Sequence, residues 1–513
     1  MFKISFYRIV ILSFCFLFNA FLICSQKDIL ELLPGSDKLT YNKKDQIHRF
    51  TGNVRFLYEG NPFYCDSAHY NKEKKWLKAF GNVHCIYKNE VNIYCDSMFY
   101  SSISKLARLR GNVRIRDFEY KITSSSMDYD FNKKCAYYTN TGRVEGITSD
   151  EVINSRQGYI YPSSKNFFFK GDVDYQKKNL KMLSDTLQFS YAKQTAYFLG
   201  STKIFYDSTV MNCNKGWYNI KNEEGMLIDS SNVTQGSKII SGDTIHYMLK
   251  DSLSEAFGNV IIQDTLEGFF SNSGKAFYNQ KDGETKLIGN VCLRKIDNSD
   301  TLIIQSDTLI NFEDTINEFQ RAKAFDNVSF KIKKIEAICD SMVLDSNVLN
   351  LFHQPIVWTD KTEMKGEEMK VFYKDSIVDS VLIQNNSTII MGLGNDDYYN
   401  QISGKNIMAI FIEDTLKNAY VYGNAWTIFY PEEENKTDSS IVTKRMGMNR
   451  LFSSDIRIDI DSGAILGISY LEKPDGIFYP MNKIKSGEKF IKGFSWNPLL
   501  RPKMQFCRFS FFK

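Results

Sequence analysis

Apolar and polar residues alternate one by one along most of this chain. In "GNVRFLY", Val54 and Phe56 share one parity and Arg55 takes the other. In "GNVRIR", Val113 and Ile115 stand against Arg114 and Arg116. In "GNVCLR", Val291 and Leu293 stand against Cys292 and Arg294. "VNIYCD" sets Val91, Ile93 and Cys95 against Asn92, Tyr94 and Asp96. A period of two belongs to a strand with one apolar and one wet face. No comparable stretch carries the period of a long amphipathic helix. The chain is therefore expected to be mainly β.

The strands recur on a beat. Gly52, Gly81, Gly111, Gly142, Gly171 and Gly200 head GNV, GNV, GNV, GRV, GDV and GST, at steps of 29, 30, 31, 29 and 29 residues. SNV at Ser231, GNV at Gly258 and Gly289, DNV at Asp326 and PIV at Pro355 follow. The beat blurs through "QNNSTII" near Asn386 and returns as "GNAW" at Gly423. A fixed period of this size marks a repeat architecture. A second phrase lies between the first: Asp66-Ser67, Asp96-Ser97, Asp185-Thr186, Asp243-Thr244, Asp307-Thr308 and Asp340-Ser341. Gly-Asn suits a tight turn with φ > 0, so each unit reads turn, strand, turn, Asp-Ser/Thr strand, turn. A single strand pair is not stable in water. Stacked units align their apolar faces into one solenoid-like strip, and about thirteen would run roughly 60 Å at one strand per face.

The ends read differently. "MFKISFYR" carries Lys3 and Arg8, "IVILSFCFLFNAFLIC" is apolar, and "SQKD" turns polar, so 1–25 is expected to be a secretory signal cut near Ser25. The competing readings are a retained anchor, since the run is near the shortest that spans a bilayer, and lipidation at Cys24, where the bulky Ile23 fits poorly. From Pro431 onward "PEEENKTDSS" reads as a loose polar segment, and five of the nine prolines, Pro431 included, lie from there to the end. Residues 431–513 are expected to be a closing cap or docking region.

Composition narrows the function. A net charge of +4 implies no polyanion and no nucleic-acid partner. Eight cysteines follow the signal (Cys65, Cys85, Cys95, Cys135, Cys213, Cys292, Cys339 and Cys507) without a CxxC pair, so no zinc site is expected. Their recurrence at equivalent places reads as small buried residues; disulfides are the alternative in an exported protein. The five histidines are scattered, "GLGNDD" at Gly392 has no helix after it, and no GxSxG or P-loop occurs. The recurring Asp is read as bonding local backbone at a strand bend, against the alternative of an acidic calcium ladder. No catalytic residue, metal or cofactor is expected, and the chain is not expected to be an enzyme.

The recurrent "GNV" with its following "D-S/T…Y" strands resembles the OstA/LptA family, periplasmic lipopolysaccharide-transport proteins of Gram-negative bacteria. The resemblance covers roughly 36–430 and is strongest over 36–113 and 242–291. The tail "KPDGIFYP…GFSWNPLLRPK" resembles the end of the long OstA-like form of Bacteroidota. The resemblance implies an open β-jellyroll that carries acyl chains of lipopolysaccharide or a related glycolipid. It also implies β-strand augmentation onto an inner-membrane export complex and an outer-membrane barrel. It divides the chain into 26–180 as a first jellyroll region and 181–430 as its continuation. The lipid-lining residues would be Val54, Phe56, Val83, Cys85, Val113, Ile115, Val144, Val173, Val260, Ile262, Val291, Leu293, Val328 and Phe330. The residues alone leave a dry, side-chain-filled core as the alternative. They also leave a second class of protein, an exported β-solenoid adhesin or polysaccharide-acting protein. Free strand edges are expected near 39–55 and near 420–430 or in the tail beyond.

Overall fold

The computed structural model describes residues 30–504, apart from short stretches at 59, 88–89, 249–252, 267, 280, 298–299, 315–318, 346, 360, 375–376, 395–397, 413–414, 438–439 and 462–463. The signal segment and Cys507 lie outside the described residues. Among the described residues antiparallel strands dominate, and the helical elements are four single 3-10 turns. No helix among the described residues is long and apolar enough to cross a membrane, which says nothing about a β-barrel. The chain forms two compact units, Met1–Gln194 and Thr195–Lys513.

In the first unit, strands Ile47–Tyr58, Asn61–Asn71, Trp76–Tyr87, Val91–Ser101, Leu106–Arg116 and Tyr120–Asp130 pair in chain order. The Gly-Asn pairs do not connect them. Gly52 and Asn53, with φ of 77° and 46°, lie inside Ile47–Tyr58. Pairing passes from Thr51↔Ser67 to Val54↔Cys65, so two residues oppose Asp66 alone. This is a β-bulge, and it corrects the expected turn. Six residues of straight strand span roughly 20 Å. Phe50 and Phe56 lie on either side of the bulge, yet their ring centroids are 5.2 Å apart. The strand therefore folds back on itself, and each long strand supplies both layers of the core. Hairpin turns fall elsewhere, at Lys75 and Lys105, whose φ values are 49° and 50°.

The two repeated phrases interlock at the fold-back. Asn82 Nδ2 donates to Asp66 Oδ2 at 2.9 Å, and Asn112 donates to Asp96 Oδ2 at 2.9 Å. Asn259 donates to Asp243 Oδ2 at 3.1 Å in the second unit. A Cβ on Gly81, Gly111 or Gly258 would overlap the same carboxylate. The Asp thus bonds the asparagine of the next strand, where local backbone bonding was expected. Beside it stands a small residue. Ser124 donates to the Ser126 carbonyl and Ser184 to that of Thr186. Cys65, Cys95, Cys213 and Cys339 occupy this same position, and all four are buried and free.

The beat slips where the sequence blurs. At "GRV" the left-handed residue is Thr141, not Gly142. At "SNV" the bulge is Asp229-Ser230, so Ser231 itself takes the valine position. His353-Gln354 and Asn385-Asn386 play the same part before Pro355 and Ser387.

The second unit repeats this design from Thr195–Tyr206 to Ile335–Asp345, then through shorter strands to Ile377–Gly392, Tyr399–Ile412 and Thr415–Phe429. The ladder continues past Pro431. Gly447–Asp461 pairs with Thr415–Phe429 and carries Ala464–Leu471 and Asp475–Pro480 as its outer strands. "PEEENKTDSS" is not a loose segment, because Glu432–Thr437 and Ser440–Arg445 pair as a separate hairpin.

Residues 489–504 turn back as a strap along this unit's own outer face. Ile491 N–H donates to Gln401 Oε1 at 3.0 Å, and its side chain packs with Ile428, Tyr430 and Met448. Trp496 stacks near Tyr399, Asn497 N–H donates to Glu363 Oε2 at 3.0 Å, and Arg501 pairs with Glu336. Met504 packs on Cys292 and Ile303. Cys292 is therefore buried on an outward face that the alternation marks as wet. It is also disulfide-bonded, unlike the other described cysteines.

Candidate functional site

The fourteen residues singled out by parity all face inward in their units. Val54, Phe56, Val83, Val113, Val144, Val173, Val260, Val291, Leu293, Val328 and Phe330 are buried; Cys85, Ile115 and Ile262 are half-buried. Val144 stands one inward position further from the bulge than its repeat implied, opposite Ile122.

A turn at Gly-Asn would end the inward face there, yet the strand half before it also faces in. That half supplies Leu77, Ala79, Leu109, Leu287 and Ala324, all buried. The signal was present in "WLKAF", where Leu77 and Ala79 continue the alternation upstream of Gly81.

The first unit's interior is filled unevenly. Cys85, Ile93, Met98, Tyr100 and Ile115 share the inward face through the pairs Cys85↔Ile93, Ile93↔Ile115 and Ala79↔Met98. All five are only half-buried, so this section has room beside its side chains. Further along, the interior is closed. Phe167, Phe169 and Phe189 have no exposed surface, and Tyr191 packs on Phe167 and Phe189 at 4.8 Å each. Burial, with the nearby Glu151 carboxylate, pushes the Tyr191 phenol far above its ordinary range.

In the second unit the interior is lined by small residues between Glu224–Gln235 and Phe269–Asn279. Gly242, Ala256, Ser273 and Ala276 stand there, with Ile240, Ile262, Tyr247 and Tyr278 half-buried beside them.

The chemistry of these surfaces is that of apolar contact. Burial raises the Cys65 and Cys95 thiols to about 12 and Cys85 to about 11, leaving them un-ionised. On the outward face of the half-buried section, Tyr64, His84 and Tyr94 stack in a row ended by Arg114. Such an interior can hold an alkyl chain at about 0.8 kcal/mol per buried CH₂.

Residues 29–185 match the family model described as OstA-like protein. No curated protein matches the chain.

Proposed function

We propose, from a first segment (29–185) that is OstA-like and an apolar interior flanked by charge, that this chain is a non-enzymatic carrier of lipopolysaccharide or a related glycolipid. Its acyl chains would lie against the fourteen inward residues, entering where the interior is least filled. The observation that carries this reading is the half-buried inward cluster at Cys85, Ile93, Met98, Tyr100 and Ile115. An apolar surface left partly uncovered inside a fold is a seat for apolar matter. The chain would work in the periplasm after export, as a bridge from an inner-membrane export complex to an outer-membrane barrel.

The ends support docking by strand addition. The first edge of the ladder is formed by Leu30–Leu32 and Lys38–Asn42, both paired with Ile47–Tyr58. Leu39 and Tyr41 there are 54% and 55% exposed, although Leu39 pairs with the buried Phe50. Val54 lies one strand inside this edge. In the second unit the outer strands are Ala464–Leu471 and Asp475–Pro480, in the tail beyond 420–430, the second of the two expected places. Unpaired edges of this kind join partners through main-chain bonds. Depletion of the protein in cells tests the reading: lipopolysaccharide should fail to reach the surface, and normal arrival would refute the carrier role.

A further inference from the structure

The long strands of the first unit pair antiparallel in chain order, so their connections fall in two rows, one along each edge of the ladder. One row holds the turns at 43–46, 72–75, 102–105 and 131–134. Its tips are rich in lysine: two at 43–44, three at 72–75, Lys105, and two at 133–134, all exposed. Asp45 and Glu73 are the acids in these turns, and Asp45 is taken by Arg49 at 2.8 Å. Asp130, flanking the last turn, lies 3.9 Å from Lys133. The other row, at 59–60, 88–90 and 117–119, sets Lys88 alone against Glu59, Glu90, Asp117 and Glu119.

The lysine turns are bonded into a file. Asn71 Nδ2 donates to the Asp45 carbonyl at 3.1 Å. Ser102 N–H donates to the Lys75 carbonyl and Phe131 N–H to that of Lys105, each at 3.0 Å. Adjacent turns stand two strands apart, roughly 10 Å. That is about one screening length in 0.1 M salt, so their fields add. The chain's net charge of +4 conceals this separation, because opposite rows cancel in the sum. The file ends where Lys165 pairs with Glu119 of the other row at 2.6 Å.

We propose that this lysine row docks the first unit on an anionic membrane surface, with the acidic row turned away. A flat anionic surface meets a straight file of exposed tips all at once and attracts each lysine. A single polyanion chain would instead need a groove to follow. Ile103, 71% exposed at the tip of the third turn, favours the same partner. An apolar side chain on a basic edge gains from entering a headgroup layer and gains nothing from a soluble polyanion. Phe118, 75% exposed on the other row, stands between Asp117 and Glu119, which an anionic surface repels. The surface is separate from the inward residues, and the inference does not depend on the lipid-carrying reading.

The test is co-sedimentation of the mature chain with vesicles of phosphatidylcholine alone and of phosphatidylcholine mixed with phosphatidylglycerol. Wild type should bind the anionic vesicles, leave the neutral ones, and be released in high salt. Lys43→Gln, Lys72→Gln, Lys74→Gln and Lys133→Gln should each weaken binding by roughly fivefold, and arginine at the same positions should restore it. Ile103→Ser should weaken binding several-fold at unchanged charge, while Glu90→Gln on the other row should not weaken it. Circular dichroism and melting establish that the variants fold. Equal binding to both vesicles, binding to neither, or binding unchanged in the glutamine variants overturns the inference. Retention of the chain by the acidic polysaccharide alginate but not by anionic vesicles, indifferent to Ile103→Ser, would assign the row to a soluble polyanion and overturn it as well.

Discussion

A methyl group is the smallest probe of the fold-back. Gly81 holds φ at 71°, and a Cβ there would run into the Asp66 carboxylate. Gly81→Ala therefore meets backbone strain and a clash together, expected to cost on the order of 1–3 kcal/mol. In an Asp66→Ala background the clash is gone and only the strain remains. The two changes should be less than additive by about 1 kcal/mol in denaturant melts; strict additivity would mean that Asp66 does not occupy the glycine's missing side chain. The cysteines are tested by exchange. Cys95 stands where Ser124 and Ser184 stand, so Cys95→Ser should stay within about 1 kcal/mol of wild type, its hydroxyl bonding the Ser97 carbonyl. Burial raises the Cys95 thiol from 9.0 to about 12, so the folded state favours the protonated form. That contribution is complete below pH 9.0 and is lost as pH rises towards 12. Native thiol labelling near pH 8 should be slow and should accelerate on unfolding, because the thiolate is the reactive form. The equivalence of these cysteines was legible from spacing. Their reason, a small group beside a bulge, was not, since it depends on the strand folding back.

At the scale of elements, parity was readable and connection was not. Gly-Asn has φ > 0 both in a hairpin turn and in this bulge, so composition alone does not separate them. Lysines at the actual turns, such as Lys75, carry no turn signature of their own. The outward faces of the second unit depart from the alternation for a different reason. Cys292, Ile303, Ile428 and Met448 sit at outward positions and are buried because 489–504 covers them. No local pattern reveals a cover that arrives from 43 residues downstream of Met448 and 201 downstream of Ile303. Deleting 489–513 should therefore destabilise the second unit by several kcal/mol, at about 25 cal/mol per Å² of apolar surface re-exposed. The first unit should melt unchanged. Trp358, whose Nε1 donates to Glu363 under the strap, reports the change: its fluorescence should shift to the red. An unshifted spectrum with wild-type melting would show that the strap is a passive tail.

For the whole molecule, the repeat made the mainly β class readable. It did not show which interior sections are filled, because that depends on side chains meeting from strands far apart, as Tyr120 meets Phe167 at 4.9 Å. Docking belongs to this scale as well. Leu39→Pro places a residue without an N–H on the first edge strand, and it should weaken co-purification with inner-membrane export components while the unit's β-signal stays intact. Retained co-purification would place docking elsewhere. The carrier claim itself is tested most directly by a photo-crosslinking side chain at Ile115 and, separately, at Arg114 in the same strand. Ile115 faces the incompletely filled interior and Arg114 faces out. With purified lipopolysaccharide, the account predicts lipid adducts from position 115 and none above background from 114; equal yields from both, or none from either, would contradict it.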